Sequence, residues 1–334
     1  MRAMRLRAQG PVETRPLALS SRDALRPGAG EILVRVEVCA VCRTDLHVIE
    51  GDLELRRPGL VPGHQAVGVV AALGAGVRDF RVGDRVGVAW LRETCGRCRF
   101  CARGDENLCL EPRFTGWDED GGYADEAVVP EGFAHALPPG ARGREIAPLL
   151  CAGIIGYRAF KRSRVRPGGR LGLFGFGGSA HIAIQVARHA GCEVYVMSRG
   201  GEHRELAVEL GADWVGESRE RPPRPLDGAI LFAPAGELVP VALEALDRGG
   251  TLAIAGIHLS QIPPLDYQRH LFQERAVQSV TANTREDARE LLALAAAIPI
   301  RTHTPGYPLE AANEALIDLK QDRVRGSAVL EIAG

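Results

Sequence analysis

Apolar residues come in short bursts through the first 150 positions, at 32–38, 67–72, 85–89 and 123–129, with Gly and Pro in the stretches between them. Such Val-rich bursts predict an antiparallel, barrel-like β domain. Near Leu171 the period changes. An apolar strand at 171–174 meets a Gly-rich turn and then a helical run at 179–190. A strand at 193–197, a helix at 203–210 and strands at 229–232 and 251–255 follow. Strand and helix in alternation predict a parallel, doubly wound sheet. Beyond it come helices at 285–297 and 310–321 and a strand at 327–332, with an edge strand expected near 277–281.

The chain has 334 residues, enough for two domains with a core each. A formal charge of −1 gives no reason to expect nucleic acid or an anionic membrane as partner. No apolar run approaches the roughly 20 residues of a membrane span, and the first residues lack a signal sequence, so a soluble, cytoplasmic protein is expected. Eight Cys in clusters point to metal in a reducing compartment.

Three patterns carry chemistry. Cys42-Arg43-Thr44-Asp45-Leu46-His47 gathers a thiol, a guanidinium, a hydroxyl, a carboxylate and an imidazole, while His64 and Cys151 stand far off in sequence. Two Cys and one His would give zinc three ligands and an open fourth position; each alone would sooner be read as a core side chain, and it is the three together that point to metal. Cys95, Cys98, Cys101 and Cys109 fall within 15 residues and suit a closed Cys₄ zinc better than a disulfide pair or an iron–sulfur cluster. Gly175, Gly177, Gly178, Ser179 and Ala180 lie in a G-x-G-x-x-A turn between strand and helix, the context for a dinucleotide pyrophosphate at a helix N-terminus. The acid that would hold an NAD ribose is missing after the second strand. Ser198 and Arg199 stand there instead, which points to NADP(H), with NAD(H) left possible.

In order and spacing these patterns resemble the zinc-dependent alcohol dehydrogenases of the medium-chain family, nearly end to end. The resemblance implies an α/β protein: a GroES-like catalytic domain at 1–153 and 284–334, with a structural zinc lobe at 91–112, and a Rossmann cofactor domain at 154–283. It implies two zinc ions per chain, one catalytic on Cys42, His64 and Cys151, one structural on Cys95, Cys98, Cys101 and Cys109. It gives Thr44 the substrate oxygen, His47 the outer end of a proton relay, Arg43 and Arg325 the pyrophosphate, Asp45 the orientation of His64, and Trp90 and Trp117 the substrate pocket. A homodimer or homotetramer acting on a small alcohol or aldehyde is implied. The alternatives are an NADP(H)-dependent aldehyde reductase of the cinnamyl-alcohol-like branch and, in another class, a dinucleotide-binding protein without turnover. One position departs from the family, which usually has Glu after this His. Gln65 removes a negative charge beside the metal, and a more electrophilic zinc is expected.

Overall fold

The computed structural model describes residues 1–138 and 140–333; Pro139 and Gly334, both in the range expected for the first domain, lie outside the described residues. The chain forms two compact units, residues 1–151 with residues from 282 onward, and residues 152–281.

The first unit is built around the strand Glu31–Ala40. It pairs antiparallel with Ala66–Leu73, with Glu126–Pro130 at its start and with Val329–Glu331 at its end. Being paired along both edges and covered on both faces, it buries Ile32, Val34, Val36, Cys39 and Ala40 and leaves Arg35 outward, which explains a run too apolar to alternate. The sheet continues through Arg85–Val88 to Ala134–Ala136. One pairing departs from the antiparallel expectation: Gly306–Pro308 runs parallel to Val329–Glu331. The core draws on both chain ends, from Leu6 and Val12 to Leu316 and Leu330.

In the second unit six strands pair in parallel, in the order Trp214–Gly216, Glu193–Met197, Arg170–Phe174, Leu226–Leu231, Leu246–Ile254, Ala276–Ser279, counted among the described residues. Helices Ala180–His189 and Gly201–Glu209 connect the first three strands in chain order, and Leu238–Ala245 precedes Leu246–Ile254. This is the doubly wound α/β arrangement. Among the described residues no helix is long and apolar enough to cross a membrane.

Several boundaries differ from the sequence pattern. Tyr123 precedes its strand, because residues 121–123 bond across to 61–63 instead (Gly121 N–H to Val61 O 2.7 Å, Gly122 N–H to Gly63 O 2.7 Å, Tyr123 N–H to Pro62 O 3.0 Å). The last helix is Ala312–Lys320, entered through a single turn at Leu309–Ala311. Ser327 bonds to His303 O and so lies outside the final strand. Helix Ala152–Arg162 was hidden by Gly153 and Gly156. Gly156 is needed there, since a Cβ would sit 2.9 Å from Ser179 O, where this helix meets the Gly-rich turn.

Candidate active site and metal centres

Cys42 ends the extended segment after Glu31–Ala40, and helix Arg43–Glu50 starts on it. Asp45, in the first turn, returns its carboxylate to Cys42 N–H at 2.9 Å, and Gly51 at φ +95° stops the helix. Cys42 and Asp45 are therefore fixed to each other by the helix start. His64 follows Gly63, whose φ of +98° and whose contact with the Tyr123 ring (a Cβ would lie 2.3 Å from Cδ1) exclude any side chain.

These turns bring three distant residues together. The ligand atoms of Cys42, His64 and Cys151 all lie within 4.8 Å of one another, and the two sulfurs are 4.0 Å apart, so this is no disulfide. His64 is completely buried, with Nδ1 2.9 Å from Asp45 Oδ1, while its Nε2 is buried with no hydrogen-bond partner among the described residues. A buried ring nitrogen without a hydrogen-bond partner is costly, unless it faces a ligand.

The electrostatics agree. Hydrogen bonding from Cys151, and then the His64 imidazole, push the Cys42 thiol well below its ordinary pKa against the effect of burial. Cys151 is pushed up by its bond to Cys42 and by burial. Burial alone would lower the His64 pKa, but the Asp45 carboxylate and the Cys42 sulfur outweigh it and raise it to about 10. The cluster thus calls for positive charge at its centre, and two thiols with one imidazole are a borderline-soft set of the kind zinc takes. The residues present fit the ion.

A second cluster is closed. The sulfurs of Cys95, Cys98, Cys101 and Cys109 lie within 4.8 Å of one another, with Cys98–Cys101 and Cys95–Cys109 each 3.5 Å apart, far beyond a disulfide bond. Backbone N–H groups point at these sulfurs, from Cys98 to Cys95 at 3.4 Å and from Cys95 to Cys109 at 3.3 Å. Backbone N–H groups of Cys101 and Leu110 lower the Cys98 pKa to about 6, the form a metal takes.

The other expected residues fall around the first cluster or stand apart from it. Thr44, buried, has its hydroxyl 3.7 Å from Cys42 Sγ. His47 is partly exposed, with Nδ1 2.8 Å from Asp52 Oδ2, a partner the sequence did not suggest. Gln65 is buried beside His64. Trp90 meets the His64 ring edge-on at 4.8 Å and stacks on Phe114 (4.9 Å) and Trp117 (5.9 Å), with the Arg56 guanidinium 3.8 Å above Trp117. Arg43, exposed, is ion-paired to Asp322, and Arg325 is exposed.

In the second unit Gly175 has φ +90°, and a Cβ there would lie 2.8 Å from Ala233 N, whereas a Cβ on Gly177 would meet nothing within 4 Å. The first glycine makes the turn and the second leaves open space above the backbone. Gly178, Ser179 and Ala180 lead into helix Ala180–His189. Ser198, buried, and Arg199, exposed, follow the strand Glu193–Met197. Arg204 clamps them, donating to Ser198 O at 2.6 Å and Arg199 O at 3.0 Å while pairing with Glu217 at 2.7 Å. Sequence reasoning missed Arg204, although a second Arg one turn into the following helix was there to be read.

The chain is similar to known proteins over most of its length. Residues 28–139 match the family model described as alcohol dehydrogenase GroES-like domain, and residues 178–297 the one described as zinc-binding dehydrogenase. A probable alcohol dehydrogenase, AdhA, of Mycobacterium tuberculosis (strain CDC 1551 / Oshkosh) is 56% identical over 337 residues, 99% of this chain and 97% of its own. An alcohol dehydrogenase of Geobacillus stearothermophilus is 34% identical over 94% of this chain and 96% of its own. Among solved structures, a cinnamyl alcohol dehydrogenase of Sorghum bicolor has a TM-score of 0.90 at 28% identity, covering 99% of this chain and 97% of that one. A cobalt- and zinc-bound thermostable alcohol dehydrogenase of Pyrobaculum aerophilum has a TM-score of 0.90 at 29% identity, covering 99% of both.

Proposed function

The chain belongs to the zinc-dependent alcohol dehydrogenases of the medium-chain family, and on that premise we propose that it interconverts a primary or small secondary alcohol with its carbonyl compound, using NADP(H) in preference to NAD(H). The observation that carries this reading is the convergence of Cys42, Cys151 and the partnerless Nε2 of buried His64. Zinc held by these three would supply Lewis acidity to the substrate oxygen, and the nicotinamide would exchange the hydride. A second, structural zinc on the four-Cys lobe is part of the proposal.

The chain's own groups do the rest. Asp45 holds Nδ1–H of His64 and so turns Nε2 inward. Thr44 would hold the hydroxyl proton of the alcohol at Oγ1. His47, partly exposed and bonded to Asp52, would pass that proton outward from its ring. The Trp90, Phe114 and Trp117 rings form an apolar wall that excludes water from this side and favours flat substrates. Arg43 and Arg325, both exposed guanidiniums, are the proposed pyrophosphate partners. Ser198 and Arg199 support the choice of NADP(H), with Arg204 holding their carbonyls in place.

The aromatic wall also favours a second reading, a reductase of aryl aldehydes. Initial rates with benzyl alcohol and 1-propanol, each with NADP⁺ and NAD⁺, and with benzaldehyde and NADPH, decide between them. Faster alcohol turnover with NADP⁺ is expected, and Arg199→Ala should raise the KM for NADP⁺ about tenfold while leaving that for NAD⁺ alone. A preference for NAD⁺ would overturn the cofactor assignment. Faster benzaldehyde reduction would favour the second reading. Assembly of like chains is proposed through the edge strand Ala276–Ser279, where Val277 is exposed, with Tyr267 and Phe272 exposed in the segment just before it.

A further inference from the structure

Asp45 is 1% exposed, and its carboxylate is fully engaged. Oδ1 lies 2.9 Å from His64 Nδ1; Oδ2 accepts from Cys42 N–H at 2.9 Å and from the Tyr123 hydroxyl at 3.0 Å. With two fixed donors on one oxygen, the carboxylate cannot turn about its Cβ–Cγ bond without losing both. The Cys42 donor comes from the helix start. The Tyr123 donor is anchored separately.

That anchoring is rigid. Tyr123 has no exposed surface, and its ring lies directly on Gly63, where no Cβ would fit. Backbone bonds from residues 121–123 to residues 61–63 tie its segment to the one that carries His64, and Met4 N–H bonds to Tyr123 O at 2.9 Å. The phenol and the imidazole are thus mounted on one piece of backbone, and both reach the same carboxylate. A buried hydroxyl aimed at a buried carboxylate is a strong bond in a low-dielectric site.

We propose that Tyr123 is a positioning residue for the catalytic centre: its hydroxyl locks the Asp45 carboxylate that aims His64 Nε2 between Cys42 and Cys151. The proposal rests on the reading of that triad as the metal site. Removing an outer hydrogen-bond partner of a metal ligand costs 10–100-fold in metal affinity, and Tyr123, one residue further out, belongs at the lower end.

The test is zinc release to a chromogenic chelator from native, zinc-loaded protein, for wild type, Tyr123→Phe, Asp45→Asn and the double variant. Tyr123→Phe should release one of two zinc ions about tenfold faster and the other at the wild-type rate. Adding it to Asp45→Asn should change nothing further, because the hydroxyl acts only through Asp45. Cobalt in the same site should show a shifted ligand-field spectrum. A destabilised fold is controlled by Val129→Ala, a core truncation far from Asp45 in sequence: at matched melting temperature it should keep the wild-type release rates. Wild-type release from Tyr123→Phe, equal acceleration in Val129→Ala, or independent effects of Tyr123→Phe and Asp45→Asn would overturn the proposal. Wild type that carries zinc in the four-Cys lobe alone would overturn the metal-site reading itself, and the proposal with it.

Discussion

His64 shows how much one residue can hold. Asp45 occupies Nδ1, and so leaves Nε2 as the nitrogen that faces two sulfurs and is free to give up its proton to a metal. The candidate ligands were legible in the sequence because few residue types bind zinc and their spacing is distinctive. Asp52, Tyr123 and Phe114 were not, since nothing in their sequence neighbourhood shows what the fold brings against them. Gln65 gives a test at this scale. Gln65→Glu places a negative charge beside His64, which disfavours further negative charge on the substrate, so the pKa governing kcat should move up. The pH dependence of kcat for the two proteins measures it, and an unmoved profile would remove Gln65 from the account.

At the level of elements, strand and helix types were readable wherever burial follows one period. The pattern failed where function or packing demanded glycine, as in helix Ala152–Arg162, whose Gly156 admits Ser179 O. Gly175→Ala tests the turn: with φ +90° and Ala233 N too close, it should cost about 2 kcal/mol and weaken dinucleotide binding, read by thermal unfolding and cofactor titration. The four-Cys lobe is tied to helix Arg285–Ala297 by Glu106, which accepts from Arg285 N at 2.8 Å and Nη2 at 2.6 Å. His135, in strand Ala134–Ala136, lies near that tie. Burial first, then Arg289 and Arg285 against a smaller opposing effect of Glu106, lower its pKa from 6.5 to about 4. The unfolded chain therefore takes up this proton first as pH falls. The contribution of the neutral, buried His135 to stability is full above pH 6.5 and is lost progressively down to about pH 4, by roughly 2–3 kcal/mol. His135→Gln should lose less stability than wild type between pH 7 and pH 4.5 in urea unfolding; equal losses would contradict the assignment.

For the whole molecule, the alternation of strand and helix after Leu171 made the parallel sheet readable, whereas the mixed sheet of the first unit, which joins both chain ends, was less so. Parallel pairing of Gly306–Pro308 with Val329–Glu331 depends on residues too short and too Pro-rich to show a strand period. If like chains assemble through Ala276–Ser279, Val277→Lys should shift the mass seen by light scattering after gel filtration towards the single chain. The central claim is that catalysis depends on a zinc held by Cys42, His64 and Cys151. Zinc content measured alongside alcohol turnover, in wild type and Cys42→Ala, tests it most directly. The account predicts two zinc ions falling to one, with kcat lost by several orders of magnitude and the four-Cys zinc kept. Equal zinc content and turnover in the two proteins would contradict it.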